Sequence, residues 1–397
     1  MISVRRICLC AAAAAWVLPA IAKAEVMIIG NDQKVTWDDA GKVVTSAPGQ
    51  DSISIVDIGT DPENPKIIAN LDLQNSVFGP PTNLAITPDG TLALATNAMT
   101  WQKAGDKPTP DDKLYVIDLK ASPPALIDTL EVGKQPSGLA INAAGDLALV
   151  ANRADNSIGV LRIEGKKVKL VDSVSVAAPD AKPDAKTQVS AVAITPDGKR
   201  ALAAKFAEHK VVVLKIDAQK VSYDGYDIAV GLWPYNLDIT PDGSLALTAD
   251  NGNAGTSDGQ VDTVTVIDLT ADPPRAIDKA VVGDAPEGFA ISPTGKIAAA
   301  VLLNGSGGVA KDAWFANPTG EVAVLTTDGK KVTKTGAVPV GRLPEGVVFS
   351  PDGGHLYVGN FLDGTVSILK VDGTEVTDTG KTLQLPGHPA SMRGSHE

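Results

Sequence analysis

The chain has 397 residues, is 44% hydrophobic but only 4% aromatic, and carries a formal net charge of −12. This acidic balance opposes nucleic acid or an anionic membrane surface as a general partner. Glycine and proline are frequent, and Val, Ile and Thr cluster in short runs of alternating character. Such a profile is typical of many short strands joined by tight turns.

The first 24 residues have the features of a secretory signal peptide. A basic pair at 5–6 precedes a short apolar run, and Ala-Lys-Ala at 22–24 has the small-x-small pattern of a cleavage site. The run is too short to span a bilayer comfortably. We therefore expect residues 1–24 to be removed, and residues 25–397 to form a single exported domain, periplasmic or secreted, with no integral membrane segment.

One strand-turn-strand element recurs along the chain. Its seven copies read VTWDDAGKVV, AITPDGTLAL, AINAAGDLAL, AITPDGKRAL, DITPDGSLAL, AISPTGKIAA and VFSPDGGHLY. Their turn glycines are Gly41, Gly90, Gly145, Gly198, Gly243, Gly295 and Gly353. The spacing of about 50 residues is a repeat period, and each period contains four short strands. Four antiparallel strands make one propeller blade, and blades stack radially into a ring. The repeat thus predicts an all-β, seven-bladed propeller of four-stranded antiparallel blades.

The two ends of the chain are expected to close this ring. The segment GHPASM (387–392) repeats the lead-in of earlier blades although no further blade follows it. We predict that it joins the blade formed by residues 25–79, because pairing of the N- and C-terminal segments removes exposed sheet edges. VMIIG (26–30) and QKVTW (33–37) compete for places in that blade.

These motifs also carry a family resemblance. The P-x-G-hydrophobic-x-hydrophobic-S/T-P-D-G lead-in is followed by LYVGN, ALVAN or ALATN and then by VSILKV, ISIVDI or LYVIDL. This pattern resembles the YVTN-type β-propeller repeat family over essentially the whole mature chain. The resemblance implies a seven-bladed propeller in an exported bacterial or archaeal protein, with lactonase-like propellers and the propeller subunits of periplasmic amine dehydrogenases among its relatives. The repeat residues themselves specify a blade and not a reaction.

One end of the propeller collects the irregular sequence. The Pro-Asp-Gly turns should share one face, whereas the lead-in loops and the loops between second and third strands should share the other, here called the loop face. Three loops of that face are long, at 97–113, 250–262 and 303–320, and long insertions on a rigid scaffold are usual places for binding. The candidate ligand-binding residues are Trp101, Arg153, Trp233, Tyr235, Trp314 and Phe315. The alternative is that the aromatic side chains fold back to cover the loops.

The lead-in loops should also converge on the central channel. Glu287 and Glu345 occupy equivalent positions there, and Asn83 and Asn236 stand where glycine is usual. One interpretation is an oxygen-rich site for a divalent cation such as calcium, with these four residues as ligands. A second is acid and base catalysis by the two carboxylates, one with a raised pKa. A third is a ring of solvated or ion-paired side chains, for example Glu345 with Arg342.

Cysteine and histidine chemistry is scarce. Cys8 and Cys10 both lie in the segment expected to be removed, which leaves the mature chain without a thiol. No two histidines have the spacing of a zinc pair, and His396 lies at the very end of the chain. His388, beside a proline on the loop face, is the best candidate histidine for a functional role; the alternative is an exposed loop histidine without a role. His209 stands in a short loop of the same face, with the same alternative.

Three functions stay open from the sequence. The first is a monomeric exported propeller that binds a small ligand or a periplasmic protein through the loop face. The second, which the resemblance implies, is a lactonase-like hydrolase in which a cation or a carboxylate from Glu287 or Glu345 activates water. Arg342, Arg153 or His388 would then stabilise the developing oxyanion. The third, again implied by resemblance, is an accessory protein of a periplasmic redox enzyme.

Overall fold

The computed structural model describes residues 25–177 and 187–395. The expected signal peptide, with Cys8 and Cys10, and the terminal His396 lie outside the described residues. Regular structure in the described ranges is almost entirely β, with one 3-10 turn at Phe206–Glu208. Within these ranges, no helix is long and apolar enough to cross a membrane.

The strands follow one another along the whole described chain. The first sixteen are β1 Val26–Asp32, β2 Val35–Trp37, β3 Val43–Thr45, β4 Ser52–Asp57, β5 Lys66–Leu71, β6 Leu84–Ile86, β7 Leu92–Thr96, β8 Met99–Thr100, β9 Thr109–Pro110, β10 Lys113–Asp118, β11 Ala125–Glu131, β12 Pro136–Ile141, β13 Leu147–Asn152, β14 Ser157–Glu164, β15 Lys167–Ser175 and β16 Val189–Ile194. The second sixteen are β17 Arg200–Lys205, β18 Lys210–Asp217, β19 Lys220–Ala229, β20 Pro234–Ile239, β21 Leu245–Asp250, β22 Asp262–Asp268, β23 Arg275–Gly283, β24 Pro286–Ile291, β25 Ile297–Leu302, β26 Gly320–Asp328, β27 Lys331–Val340, β28 Pro344–Phe349, β29 His355–Asn360, β30 Thr365–Asp372, β31 Glu375–Gln384 and β32 His388–Gly394.

Seven antiparallel sheets of four strands form the blades. Numbered from the N-terminus, and written from the channel outward, they are blade 1 β32-β1-β4-β5, blade 2 β6-β7-β10-β11, blade 3 β12-β13-β14-β15, blade 4 β16-β17-β18-β19, blade 5 β20-β21-β22-β23, blade 6 β24-β25-β26-β27 and blade 7 β28-β29-β30-β31. Each inner strand contacts the inner strand of the next blade, and β28 contacts β32, which in turn contacts β6. The predicted seven-bladed ring is therefore confirmed.

The ring closes through blade 1, in which the two ends of the chain pair. Strand β32 pairs antiparallel with β1, with Met27 opposite Gly394. The predicted role of GHPASM is thus confirmed, and VMIIG is the strand of the blade.

The copy VTWDDAGKVV is not a blade turn, and its assignment to the repeat was wrong. It forms the separate hairpin β2-β3, inserted between β1 and β4. The physical reason is burial: every residue of β1 is buried, whereas β3 is exposed or half-buried, and a strand covered on both faces needs a continuous apolar run. Gly41 therefore turns a surface hairpin of the loop face.

The Ser/Thr-Pro-Asp-Gly sequences form self-contained turns. In the first of them the Thr87 hydroxyl donates to Asp89 Oδ1 at 2.6 Å, and the same carboxylate accepts the backbone N–H of Thr91 at 2.9 Å. Gly90 adopts φ +66°, a left-handed conformation that favours glycine. Pro88, Pro196, Pro241, Pro293 and Pro351 of successive turns line one depression. The turns therefore share one face, as predicted.

Hydrophobic clusters fill the spaces between neighbouring blades. Along β25, Ile297, Ala299 and Val301 pack toward blade 7, whereas the alternate residues Ala298, Ala300 and Leu302 pack toward blade 5. Both faces of a blade are thus buried, with the two-residue period of a strand. This packing makes the blades a rigid frame for side chains at the channel mouth.

Candidate active site

The inner strands of blades 3 to 7 each begin with a bulge at the channel mouth. The ladder between β24 and β25 is irregular between Pro286 and Phe289, and that between β28 and β29 is irregular between Pro344 and Val347. The residues displaced in this way in blades 6 and 7 are Glu287 and Glu345. β-Bulges redirect side chains in this way and are frequent beside active sites. The equivalent positions elsewhere are Thr82, Ser137, Ser190, Tyr235 and Ala390, all of them buried.

In blades 3 to 7, the residue two positions before this side chain has an unusual backbone. Gln135, Gln188, Trp233, Ala285 and Leu343 all have φ between 49° and 55°, a left-handed conformation that side chains rarely adopt. Their carbonyl oxygens accept the backbone N–H groups of Arg153, Phe206, Asn251, Leu303 and Phe361, respectively, at 2.9–3.3 Å. This repeated bond ties each lead-in loop to the residue that follows the second strand of its blade, and so fixes both loops at the channel mouth.

A cavity of about 550 Å³ opens where these loops meet. All three long loops contribute to it, through Met99 and Pro108, through residues 254–256, and through Leu303 and residues 307–308. Glu287, Glu345, Tyr235 and Arg153 also line it. The prediction that the variable loops and the channel carboxylates share one end of the molecule is therefore confirmed.

Glu287 and Glu345 form a buried pair of carboxyl groups. Their residues are only 3% and 6% exposed. Burial raises the pKa of Glu287 to about 8, against the opposing effects of the Arg153 charge and of a hydrogen bond from Asn251. Burial and the neighbouring Glu287 raise the pKa of Glu345 well above its ordinary value. Arg153 thus favours the ionised form of Glu287, whereas the neighbouring Glu287 favours the protonated form of Glu345.

Asn251 holds Glu287 in place. Its Nδ2 donates to Glu287 Oε1 at 3.0 Å, while its Oδ1 accepts the backbone N–H of Gly255 at 2.5 Å. Because both ends of the amide are engaged, the orientation of the carboxylate is fixed from the loop of blade 5. A Cβ on Gly288 would lie 1.9 Å from the carbonyl oxygen of Glu345, so the two inner strands approach one another as closely as glycine permits.

Arg153 faces the carboxyl pair from the opposite side of the channel. Its guanidinium carbon lies 4.7 Å from the centre of the Phe206 ring and 5.8 Å from that of Tyr235. Burial raises the pKa of Tyr235, so its hydroxyl stays protonated and can donate. Arg153 Nη2 also donates to Gln188 Oε1 at 3.4 Å. The arrangement therefore lines one cavity with two donors, Arg153 and Tyr235, and two carboxyl groups, Glu287 and Glu345.

Several other predicted site residues lie outside the cavity lining. Trp101 is buried, and its Nε1 donates to the Ser46 carbonyl at 2.8 Å. Trp233 packs on Phe206, with ring centres 4.9 Å apart, and so supports Arg153 indirectly. Trp314 is 81% exposed and contacts Phe315 edge-on. The fold-back alternative therefore describes Trp101 but not Trp314.

Arg342 and His388, which the sequence suggested as partners of the developing oxyanion, make other contacts. Arg342 pairs with Asp363 at 2.7 Å, in place of the ion pair with Glu345 considered from the sequence. His388 stacks on Phe361, and its Nδ1 lies 2.6 Å from the Phe361 carbonyl oxygen.

The two asparagines of the predicted cation site are committed to local bonds. Asn83 Nδ2 donates to Asn75 Oδ1 at 2.8 Å and to the Thr96 carbonyl at 2.6 Å. Asn236 Oδ1 accepts the backbone N–H of Leu237 at 2.7 Å. Neither asparagine is among the residues that line the cavity. Among the described residues, no group of three or more His, Cys, Asp or Glu side chains is placed to hold a metal ion.

Sequence reasoning missed part of this site. Gln135 and Gln188 line the cavity, as do Trp37 and Val43 of the β2-β3 hairpin. The two glutamines could have been found by aligning the residue two positions before Glu287 across all repeats. Trp37 was not predicted as a site residue because the sequence of its hairpin was assigned to a blade turn.

The fold and site define a class: a seven-bladed propeller with a buried carboxyl pair and an arginine at the mouth of its channel. Residues 111–254 match the family described as "Lactonase, 7-bladed beta-propeller". No curated protein matched the chain.

Solved structures with the same fold cover nearly the whole chain. A provisional 6-phosphogluconolactonase from Bacteroides uniformis has a TM-score of 0.69 and 17% identity, over 94% of this chain and 99% of that one. A second, from Bacteroides fragilis, has a TM-score of 0.69 and 18% identity, over 95% and 99%. The periplasmic gluconolactonase of Pseudomonas aeruginosa has a TM-score of 0.66 and 17% identity, over 93% and 98%. At these identities the likeness shows the fold alone.

Proposed function

We propose that this protein is a hydrolase that opens a lactone, a cyclic ester, in the cavity at the loop face. The observation that carries the proposal is the buried pair Glu287 and Glu345, which lines one cavity together with Arg153 and Tyr235 and has raised pKa values. Titratable groups whose pKa values are displaced by burial and by one another, and which lie in a cleft, are typical of acid and base catalysis.

The residues divide the reaction between them. Glu287, as the carboxylate, accepts a proton from a water molecule while the water oxygen attacks the ester carbonyl. The Arg153 guanidinium and the Tyr235 hydroxyl donate hydrogen bonds to the oxygen on which negative charge develops. As the ring C–O bond breaks, Glu345 gives its proton to the departing alkoxide, and the product is a hydroxy acid. Transfer of the proton from Glu287 back to Glu345 restores the starting state.

The comparisons favour this function over passive binding. The family matched by residues 111–254 is a lactonase family, and one structural neighbour is a gluconolactonase. A simple binding protein has no need of two neighbouring buried carboxyl groups, because both are destabilised by loss of water and Glu345 also by the charge of Glu287. We place the reaction outside the cytoplasm, since residues 1–24 have the pattern of a signal peptide and that neighbour is periplasmic.

A panel of lactones tests the proposal. The purified chain is assayed by pH-stat against glucono-δ-lactone, γ-butyrolactone and δ-valerolactone, with and without a chelator. We expect turnover that is insensitive to the chelator and falls at least about a hundredfold in Glu287→Gln. Turnover that appears only with an added divalent cation would replace the carboxylate mechanism with the cation alternative. Absence of turnover under every condition would leave the loop face as a binding site without catalysis.

A further inference from the structure

The charge of the cavity restricts what it can hold. Of the described residues that line it, Arg153 is the single basic one, and it faces the acidic Glu287 and Glu345. Its planar face already lies against the Phe206 and Tyr235 rings. A phosphate group carries close to two negative charges at neutral pH and is normally held by several cations or backbone donors. The cavity has no such surplus of positive charge.

Two further cations, Lys34 and Arg342, are already neutralised by ion pairs. Lys34 is buried and pairs with Asp51 at 2.6 Å, and Arg342 pairs with Asp363 at 2.7 Å. Neither cation lines the cavity. Recruiting either one to a phosphate would leave a carboxylate without its partner, and for Asp51 that carboxylate is buried.

The remaining wall of the cavity is apolar. Trp37 and Val43 from the hairpin face it together with Val77, Phe78, Met99, Leu303 and Leu343. Six of these seven, all but Val43, belong to one hydrophobic cluster beneath the loops. This wall comes from blades 1, 2, 6 and 7, whereas Arg153, Gln135, Gln188 and Tyr235 come from blades 3, 4 and 5. The cavity thus has a polar side at blades 3 to 5 and an apolar wall at blades 1, 2, 6 and 7, and the carboxyl groups of Glu287 and Glu345 are set into that wall at blades 6 and 7.

We propose that the preferred substrates are uncharged lactones that carry an alkyl or aryl substituent, with the substituent against the wall of Trp37, Val43, Phe78 and Met99. The inference rests on the proposed function, and it specifies the substrate class. Phosphorylated sugar lactones are disfavoured, because Arg153 is the single basic residue among the described residues that line the cavity. Each methylene buried on this wall strengthens binding by about fourfold.

Matched substrates test the preference. δ-Valerolactone and δ-decalactone have the same ring, and the second carries a pentyl chain; glucono-δ-lactone with and without a 6-phosphate forms a second pair. We expect kcat/KM for δ-decalactone to exceed that for δ-valerolactone by at least about tenfold, because several methylenes become buried. The phosphate should lower kcat/KM for the sugar lactone. Equal values within the first pair, or a gain from the phosphate, would overturn the inference and leave lactone hydrolysis standing.

A pair of hairpin variants locates the preference. Val43 lines the cavity, whereas its neighbour Val44 does not, and the two are similarly exposed, at 46% and 42%. Successive strand residues point to opposite faces, so Val43→Asp places a charge in the cavity and Val44→Asp places one outside it. The δ-decalactone to δ-valerolactone ratio should fall toward one in Val43→Asp and stay at the wild-type value in Val44→Asp. The same ratio in both variants would show that the wall does not contact the substituent.

Binding separates this inference from the proposed function. The lactams δ-valerolactam and 6-pentyl-δ-valerolactam have the shapes of the two lactones but resist hydrolysis. If no lactone is turned over, tighter binding of the pentyl lactam by isothermal titration would support the apolar wall while hydrolysis is abandoned. Equal affinities, or no binding of either lactam, would overturn the inference on its own.

Discussion

The ionisation of Glu287 should control the rate of lactone hydrolysis. The group must be a carboxylate to accept a proton from water, and burial raises its pKa to about 8. Below that midpoint, kcat/KM should fall by roughly tenfold for each pH unit. A falling limb should follow at higher pH as Glu345 loses the proton that it donates to the leaving group.

Arg153 supplies the perturbation that tests this assignment. Its charge lowers the pKa of Glu287, so removing the charge in Arg153→Gln should raise that pKa further and move the rising limb to higher pH. A displacement of about one pH unit would leave about a tenth of the wild-type ionised fraction at pH 7. Arg153→Lys keeps a positive charge and should keep the rising limb nearer its wild-type position, even where the maximal rate falls.

The assay is the pH dependence of kcat/KM for δ-valerolactone between pH 5.5 and 9.5, with the spontaneous hydrolysis subtracted at each pH. A rising limb centred near the ordinary glutamate value of 4.5, or one that stays unmoved in Arg153→Gln, would refute the reasoning. A uniform fall in rate without displacement would mean that Arg153 acts only on the oxyanion and not on the base.

Three further predictions concern the folded frame. Gly288→Ala should unfold at a lower temperature than wild type, because its Cβ would lie 1.9 Å from the Glu345 carbonyl oxygen; Gly336→Ala, whose Cβ would have no neighbour closer than 3.7 Å, is the matched control in thermal melts. Lys34→Met should lower the free energy of unfolding by about 3–5 kcal/mol, since it leaves buried carboxylates unpaired, whereas loss of the exposed Lys311 in Lys311→Met should change it by less than about 1 kcal/mol in denaturant titrations. Glu345→Gln should stabilise the fold relative to wild type, and increasingly so as pH rises. The pKa of Glu345 is higher in the folded state than in the unfolded state. Wild type therefore loses stability as pH rises from the unfolded-state pKa toward the folded-state pKa, whereas the glutamine variant does not. A melting-temperature difference between Glu345→Gln and wild type that does not grow between pH 5 and 8 would contradict this.

The repeat made the architecture predictable. Each Ser/Thr-Pro-Asp-Gly turn satisfies its own hydrogen bonds, as Thr87 and Asp89 do, and this sequence recurs in blades 2, 4, 5 and 7, with variants in blades 3 and 6. The channel positions of Glu287 and Glu345 followed from the same alignment. Closure of the ring by residues 387–392 was predictable because this segment repeats the lead-in sequence although no further blade follows it. These features are local in sequence or repeated along the chain, and they can therefore be predicted from the sequence.

Contacts between distant loops were not predictable in this way. Trp37 lines the cavity only because the hairpin inserted in blade 1 folds over the channel mouth, and the copy pattern around Gly41 suggested a different place for it. The bond from Asn251 to Glu287 joins the loop of blade 5 to the inner strand of blade 6. Arg342 pairs with Asp363 and not with Glu345, because ion pairing between loops depends on a loop geometry that the repeat does not encode.

The most direct test of the account compares wild type with Glu287→Gln in the hydrolysis of δ-valerolactone at pH 8.5 in the presence of a chelator. The substitution keeps the size of the side chain and removes the base. We predict steady turnover by wild type and a loss of at least about a hundredfold in kcat for the variant, with its thermal stability undiminished. Equal rates for the two proteins would contradict the claim that the carboxyl pair at the channel mouth performs the reaction.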